Sequence, residues 1–143
     1  MDVYIDTSAL AKWYLNEAFS EEVEEYLREA TPVYISALTK VEMKSLLARH
    51  RREGSLDPLT EARVFSAFET DIAAGHLILL PLRVEHYLLA ESLLGSVPEL
   101  PLRSLDALHL GALKGEGLEQ LATADGVLAE AAAALGVDCH TFF

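Results

Sequence analysis

The chain has 143 residues, with 23 Asp and Glu against 11 Lys and Arg, a formal charge of −12. Half of it, 51%, is hydrophobic, enough for one domain with a packed core and too much for a disordered segment. The acidity argues against a broad nucleic-acid surface held by many phosphate contacts, though not against a small metal-mediated site.

Cys139 is the only cysteine, so no disulfide forms within the chain. The N-terminus shows no basic region followed by an apolar one, and no uncharged apolar run is long enough to span a bilayer. The expectation is a cytoplasmic protein.

Met1 to Ile5 is rich in β-branched and aromatic residues and reads as a strand. Asp6, Thr7 and Ser8 end it, and all three are good helix N-caps. Ala9, Leu10, Trp13 and Tyr14 then recur at helical spacing. A buried strand thus runs straight into a helix with a carboxylate at the junction. In open α/β sheets, ligands bind at the carboxyl ends of the strands. The ordinary reading of Asp6 is an N-cap; the functional reading is a ligand of that edge.

Residues 16–20 read as a turn, and Ser20 as the cap of a second helix carrying Glu21 and Glu22 in its first turn. Its apolar face is Val23, Tyr26, Leu27 and Ala30. Thr31-Pro32 stops it, and Val33-Tyr34-Ile35 is a second short strand. A long helix follows over about 37–53, with Leu38, Val41, Met43, Leu46 and Leu47 as its stripe and Gly54 at its end. Thr39-Lys40-Val41-Glu42 has capping-box spacing, so Glu42 reads either as a cap or as an acid projecting over the sheet edge towards Asp6. Lys40, Lys44, Arg49, Arg51 and Arg52 make this helix the best place for phosphate contacts.

Asp57-Pro58 starts the next helix, with Leu59, Ala62, Val64, Phe65, Phe68 and Ile72 as its apolar positions. Leu77 to Leu82 reads as a buried strand. Val84 to Leu94 is a helix expected to turn Tyr87, Leu88, Ala90 and Leu94 inward. Residues 95–102, with Pro98 and Pro101, form a loop. Ser104 is the expected cap of a helix to Lys114, placing Asp106 in an apolar first turn where a carboxylate calls for a partner. His109, three residues on, shares its face and reads as a packed or hydrogen-bonded histidine rather than a metal ligand. Residues 119–123 are a fourth strand. Asp125 follows it, repeating the geometry of Asp6 ahead of a helix over 127–135, and 137–142 is a final edge strand.

Alternating strands and helices imply a single α/β domain with a mainly parallel sheet of about five short strands, helices on both faces and right-handed crossovers. All strand-to-helix junctions then lie on one edge. Asp6, Glu42 and Asp125 occupy three of them, and Asp106 opens a helix beside them. Two like charges about 4 Å apart repel by roughly 4 kcal/mol at an effective dielectric near 20, so converging acids need raised pKa values or a bound cation. Carboxylates without Cys or clustered His select Mg²⁺ or Mn²⁺. Such a site suits phosphodiester hydrolysis, with Thr7, Ser8 and Thr123 orienting carboxylates or water from behind. A Rossmann glycine fingerprint, a Walker loop and a nucleophile elbow are all missing.

The stretches Val3-Tyr4-Ile5-Asp6-Thr7-Ser8-Ala9-Leu10, Thr39-Lys40-Val41-Glu42, Leu105-Asp106-Ala107-Leu108-His109-Leu110 and Leu121-Ala122-Thr123-Ala124-Asp125 resemble, in order and spacing, those of PIN-domain proteins. Length and composition are similar to VapC-type toxins of toxin–antitoxin pairs. The resemblance implies one PIN-like nuclease domain over 1–143 and a metal-dependent endoribonuclease. It implies that Asp6, Glu42, Asp106 and Asp125 form the metal-binding set, with Thr7, Ser8 and Thr123 beside it. It also implies an RNA substrate, a homodimer and a cognate antitoxin covering the site. The family often has a basic residue after the last Asp, where Gly126 stands here. Two other readings remain open: a PIN-like scaffold that binds protein or RNA without cutting, and a nuclease or phosphatase acting on DNA or small phosphoesters.

Overall fold

The computed structural model describes residues 2–143, so the Met1 part of the first expected strand lies outside the described residues. In chain order the elements are β1 (Val3–Ile5), α1 (Thr7–Tyr14), α2 (Ser20–Glu29), β2 (Val33–Ser36), α3 (Ala37–Arg52), α4 (Pro58–Ala73), β3 (Leu77–Leu80), α5 (Val84–Ser96), α6 (Ser104–Gly115), β4 (Gln120–Thr123), α7 (Gly126–Ala134) and β5 (Asp138–Thr141). The five strands form one sheet in the order β3-β2-β1-β4-β5. Every pairing is parallel, as the alternation of strand and helix requires. From β1 the chain first builds outward through β2 and β3, then crosses to β4 and β5 on the other side. The order therefore reverses between β1 and β4, and their carboxyl ends border the crevice where such sheets bind ligands.

Strand alternation divides the core between the two faces. Val3 and Ile5 join Leu10 of α1, Val23 of α2, Met43 and Leu47 of α3 and Phe68 of α4 on one side. Tyr4 and Leu121 join Leu110 and Leu113 of α6 and Leu128 and Ala131 of α7 on the other. Burying each such large side chain contributes roughly 1.5–3 kcal/mol. α5 packs on α6 so closely that a Cβ at Gly111 would stand 2.5 Å from the backbone oxygen of His86. No helix among the described residues is long and apolar enough to cross a membrane.

Several local expectations change. Ser20 is the first residue of α2 rather than its cap: its hydroxyl donates to the Leu15 carbonyl and accepts from the Glu17 N–H, closing the preceding turn. Arg103, not Ser104, caps α6. Val41 is 68% exposed because α3 turns Met43 and Leu47 to the sheet instead. Tyr87 and Leu88 of α5 are also exposed, at 52% and 60%. The tight approach to α6 selects the side of α5 carrying His86, Ala90 and Leu93.

Candidate active site

Asp6 leaves the end of β1 and caps α1, its carboxylate accepting from the Ala9 N–H at 3.1 Å. The same carboxylate accepts from Ser8 Oγ at 2.8 Å and from Thr123 Oγ1, at the end of the neighbouring strand, also at 2.8 Å. Thr123 Oγ1 in turn accepts from the Asp125 N–H at 3.0 Å, and Ser8 Oγ from the Ala124 N–H at 3.0 Å. These bonds tie the ends of β1 and β4 together. Asp125 caps α7, its Oδ1 accepting from the Val127 and Leu128 N–H groups. That leaves Oδ2 turned towards Arg103, whose Nη2 lies 3.9 Å away. Asp106, in the first turn of α6, accepts from the Arg103 N–H at 3.4 Å, and Arg103 Nε lies 3.5 Å from the same oxygen.

Glu42 departs from its capping-box reading. Ser36 caps α3 at once where β2 ends, so Glu42 falls in the second turn and has no cap to serve. Its Oε1 accepts instead from Thr7 Oγ1 at 2.7 Å and from His109 Nε2 at 2.5 Å. A carboxylate has no hydrogen to give, so Nε2 carries one. On the far side of the ring, Nδ1 lies 2.6 Å from the Tyr4 hydroxyl, which is itself 3.0 Å from Ser36 Oγ. A buried chain of polar groups thus runs from the end of β2 through the core to Glu42. His109 is hydrogen-bonded and 2% exposed.

All four acids border one cleft of about 400 Å³, together with Thr7, Ser8 and His109. A more apolar cleft of about 340 Å³ lies at the start of β2 and β3, lined by Leu10, Trp13, Tyr14, Asp71 and His76 among others. It holds none of the four acids.

A family model for the PIN domain matches residues 3–134. The chain belongs to the PIN-domain family. Among curated relatives, a protein named ribonuclease VapC46 of Mycobacterium tuberculosis is 34% identical over 94% of this chain and 93% of its own length. The fold is also that of the Mycobacterium tuberculosis toxin VapC20, described as cleaving the sarcin–ricin loop. That match has a TM-score of 0.73 at 16% identity, over 90% of this chain and 94% of the other. The DNA-bound VapBC complex of Salmonella typhimurium contains a chain that matches with a TM-score of 0.73 at 15% identity, over 100% and 99% of the two chains.

The electrostatics of this PIN domain are uneven. Burial pushes the Asp6 carboxyl above its ordinary value, with the charge of His109 and the surrounding donors working against the rise. Burial acts in the same sense on Glu42, but the hydrogen bond and charge of His109, with Thr7 and Arg103, outweigh it and hold Glu42 below its ordinary value. Among the described residues, no three His, Cys, Asp or Glu side chains stand together closely enough to hold a metal ion as they lie. Each acid is engaged elsewhere: Asp6 with Ser8 and Thr123, Glu42 with His109, Asp106 with Arg103, Asp125 with the start of α7. The donor set nonetheless fits a hard divalent cation. It offers carboxylate oxygens without sulfur, one of them a buried carboxylate that a cation would relieve.

Of the five basic residues of α3, Arg49 lines the cleft. Lys40 faces Glu69, Lys44 lies over the Phe65 ring and Arg51 faces Glu61. Sequence reasoning did not single out Arg103 or Tyr4. Tyr4 did leave a signal, as the one polar-tipped side chain in an otherwise aliphatic central strand, where a hydroxyl needs a partner.

Proposed function

We propose that this PIN domain is a divalent-metal-dependent endoribonuclease that acts as the toxin of a toxin–antitoxin pair. The observation that carries the reading is the meeting of Asp6, Glu42, Asp106 and Asp125 around one cleft at the sheet's topological switch point. The named ribonuclease relative at 34% identity supports the reaction class, and the VapBC complex among the structural matches supports an antitoxin partner.

Asp6, Glu42, Asp106 and Asp125 would hold Mg²⁺ or Mn²⁺. Bound there, such an ion supplies Lewis acidity, making water a stronger acid and offsetting negative charge on phosphate oxygens. The chain's own groups prepare the place. Ser8 and Thr123 fix both Asp6 oxygens, and the Thr123 hydroxyl links Asp6 to the backbone of Asp125. Thr7 and His109 set the direction of Glu42. Leu38, Leu46 and Leu105 add apolar wall beside the acids. A cytoplasmic homodimer held silent by its antitoxin completes the proposal.

The test is cleavage of a panel of structured RNAs by the partner-free chain with Mn²⁺, Mg²⁺ or chelator. Metal-dependent cutting that Asp106→Asn loses, with folding retained, is the expected result. A folded, metal-loaded chain that cuts none of them would favour a binding scaffold instead.

A further inference from the structure

The guanidinium of Arg103 stands where two carboxylates of the cleft would otherwise face each other. It lies within 3.5 Å of Asp106 and 3.9 Å of Asp125, and its charge also reaches Glu42. It pairs with two of the acids as His109 pairs with Glu42. The hold is loose: the Arg103 side chain is 80% exposed, and ion pairs that open to water contribute little. Its backbone, in contrast, is fixed as the cap of α6, with its N–H given to Asp106. The guanidinium is therefore free to swing about a fixed anchor. Gly126 adds no side chain beside Asp125, and apart from its chain neighbours and its own helix nothing lies within 4 Å of where one would stand.

We propose that Arg103 exchanges places with the metal ion and becomes a phosphate-binding residue for RNA; the inference rests on the nuclease reading above. With Asp106 and Asp125 engaged by a divalent ion, Arg103 would lose both of its partners. The released guanidinium remains at the rim of the cleft. There its planar donors match the oxygens of a phosphodiester better than a point charge does. Arg49 lines the same cleft from α3, so a phosphate entering there meets two guanidinium-bearing residues. A chain of formal charge −12 has particular need of such local cations, because its overall field repels RNA.

The exchange predicts opposite changes in two affinities. Without Arg103 the metal-free Asp106 and Asp125 lose their paired cation, so Mn²⁺ binds Arg103→Gln more tightly than the parent by about fivefold, the scale of exposed ion pairs. RNA moves the other way: KM rises about tenfold, and the slope of log KM against log salt falls by about 0.7, the loss of one phosphate contact to a single strand. Calorimetry with Mn²⁺ and no RNA reads the first change. Cleavage kinetics across a salt series reads the second, and Arg103→Lys recovers part of the KM. Weaker or unchanged Mn²⁺ binding by Arg103→Gln overturns the exchange, as does an unchanged KM and salt slope. A parent that binds Mn²⁺ and cuts RNA while the variant matches it refutes this inference alone; a parent that takes up neither Mn²⁺ nor Mg²⁺ refutes the nuclease reading with it.

Discussion

Replacing His109 by Leu breaks the polar chain at its centre, and the structure sets the size of the effect. The ring gives up two bonds, one to the charged Glu42 at 2.5 Å and one to the Tyr4 hydroxyl at 2.6 Å. Hydrogen bonds to charged groups contribute about 1.5–3 kcal/mol and neutral ones about 1 kcal/mol. The lower end applies to Glu42, whose side chain is 24% exposed and keeps Thr7 as a partner. Tyr4 keeps Ser36. The sum is about 2.5 kcal/mol, which lowers Tm by about 8 °C in a domain of this size. Tyr4→Phe loses the same hydroxyl–imidazole bond from the other side and the bond to Ser36 with it, for about 2 kcal/mol and 6 °C. The double variant should then fall short of additivity by about 1 kcal/mol, because the shared bond is lost only once. Calorimetry or urea unfolding in chelator measures all three without reference to activity. A His109→Leu chain as stable as the parent, or strict additivity with Tyr4→Phe, would refute the argument that these groups act as one chain.

Two other outcomes follow from the acids. The folded-state pKa of Asp6 is raised, chiefly by burial. Its contribution to stability is thus fully present below the unfolded carboxyl pKa of about 4 and is lost as pH rises through the folded value. In chelator, the stability advantage of the parent over Asp6→Asn should shrink from pH 4 to pH 7; a widening gap in urea unfolding would contradict it. Asp125→Ala removes the α7 cap that accepts from Val127 and Leu128 and should cost about 1 kcal/mol. Asp125→Asn keeps that cap, so its Tm should stay near the parent's while Mn²⁺ binding, read by calorimetry, is lost.

The order of elements was legible because β1, β2 and β4 are short, largely apolar runs with a capping residue at or just after their ends, and this alone put Asp6 and Asp125 on one edge. Helix orientation was less so. Apolar residues ring α5, so its period names no face. What decides is the close contact of Gly111 with His86, residues from two different helices. Glu42 carried a capping-box spacing that misled, because Ser36 at the end of β2 starts α3 three residues before Thr39. His109 was legible as a hydrogen-bonded residue but not its partners. Tyr4 and Glu42 are 105 and 67 residues away in the chain, and local spacing carries no information on such pairs.

The two junction aspartates each hold a helix start as well as facing the cleft. A chain of this fold that had abandoned catalysis would still need a short polar side chain at both positions, and Ser, Thr or Asn meets that need as well as Asp. Such a chain would therefore drift from carboxylate to hydroxyl or amide at 6 and 125 while looking intact in outline. Position 42 holds no helix start. Its structural task is to accept from Thr7 and from the buried His109, and the amide oxygen of Gln meets that need without the charge. Among similar chains, the joint loss of negative charge at 6, 42 and 125, with the polar outline kept, thus separates a retired copy from a working one.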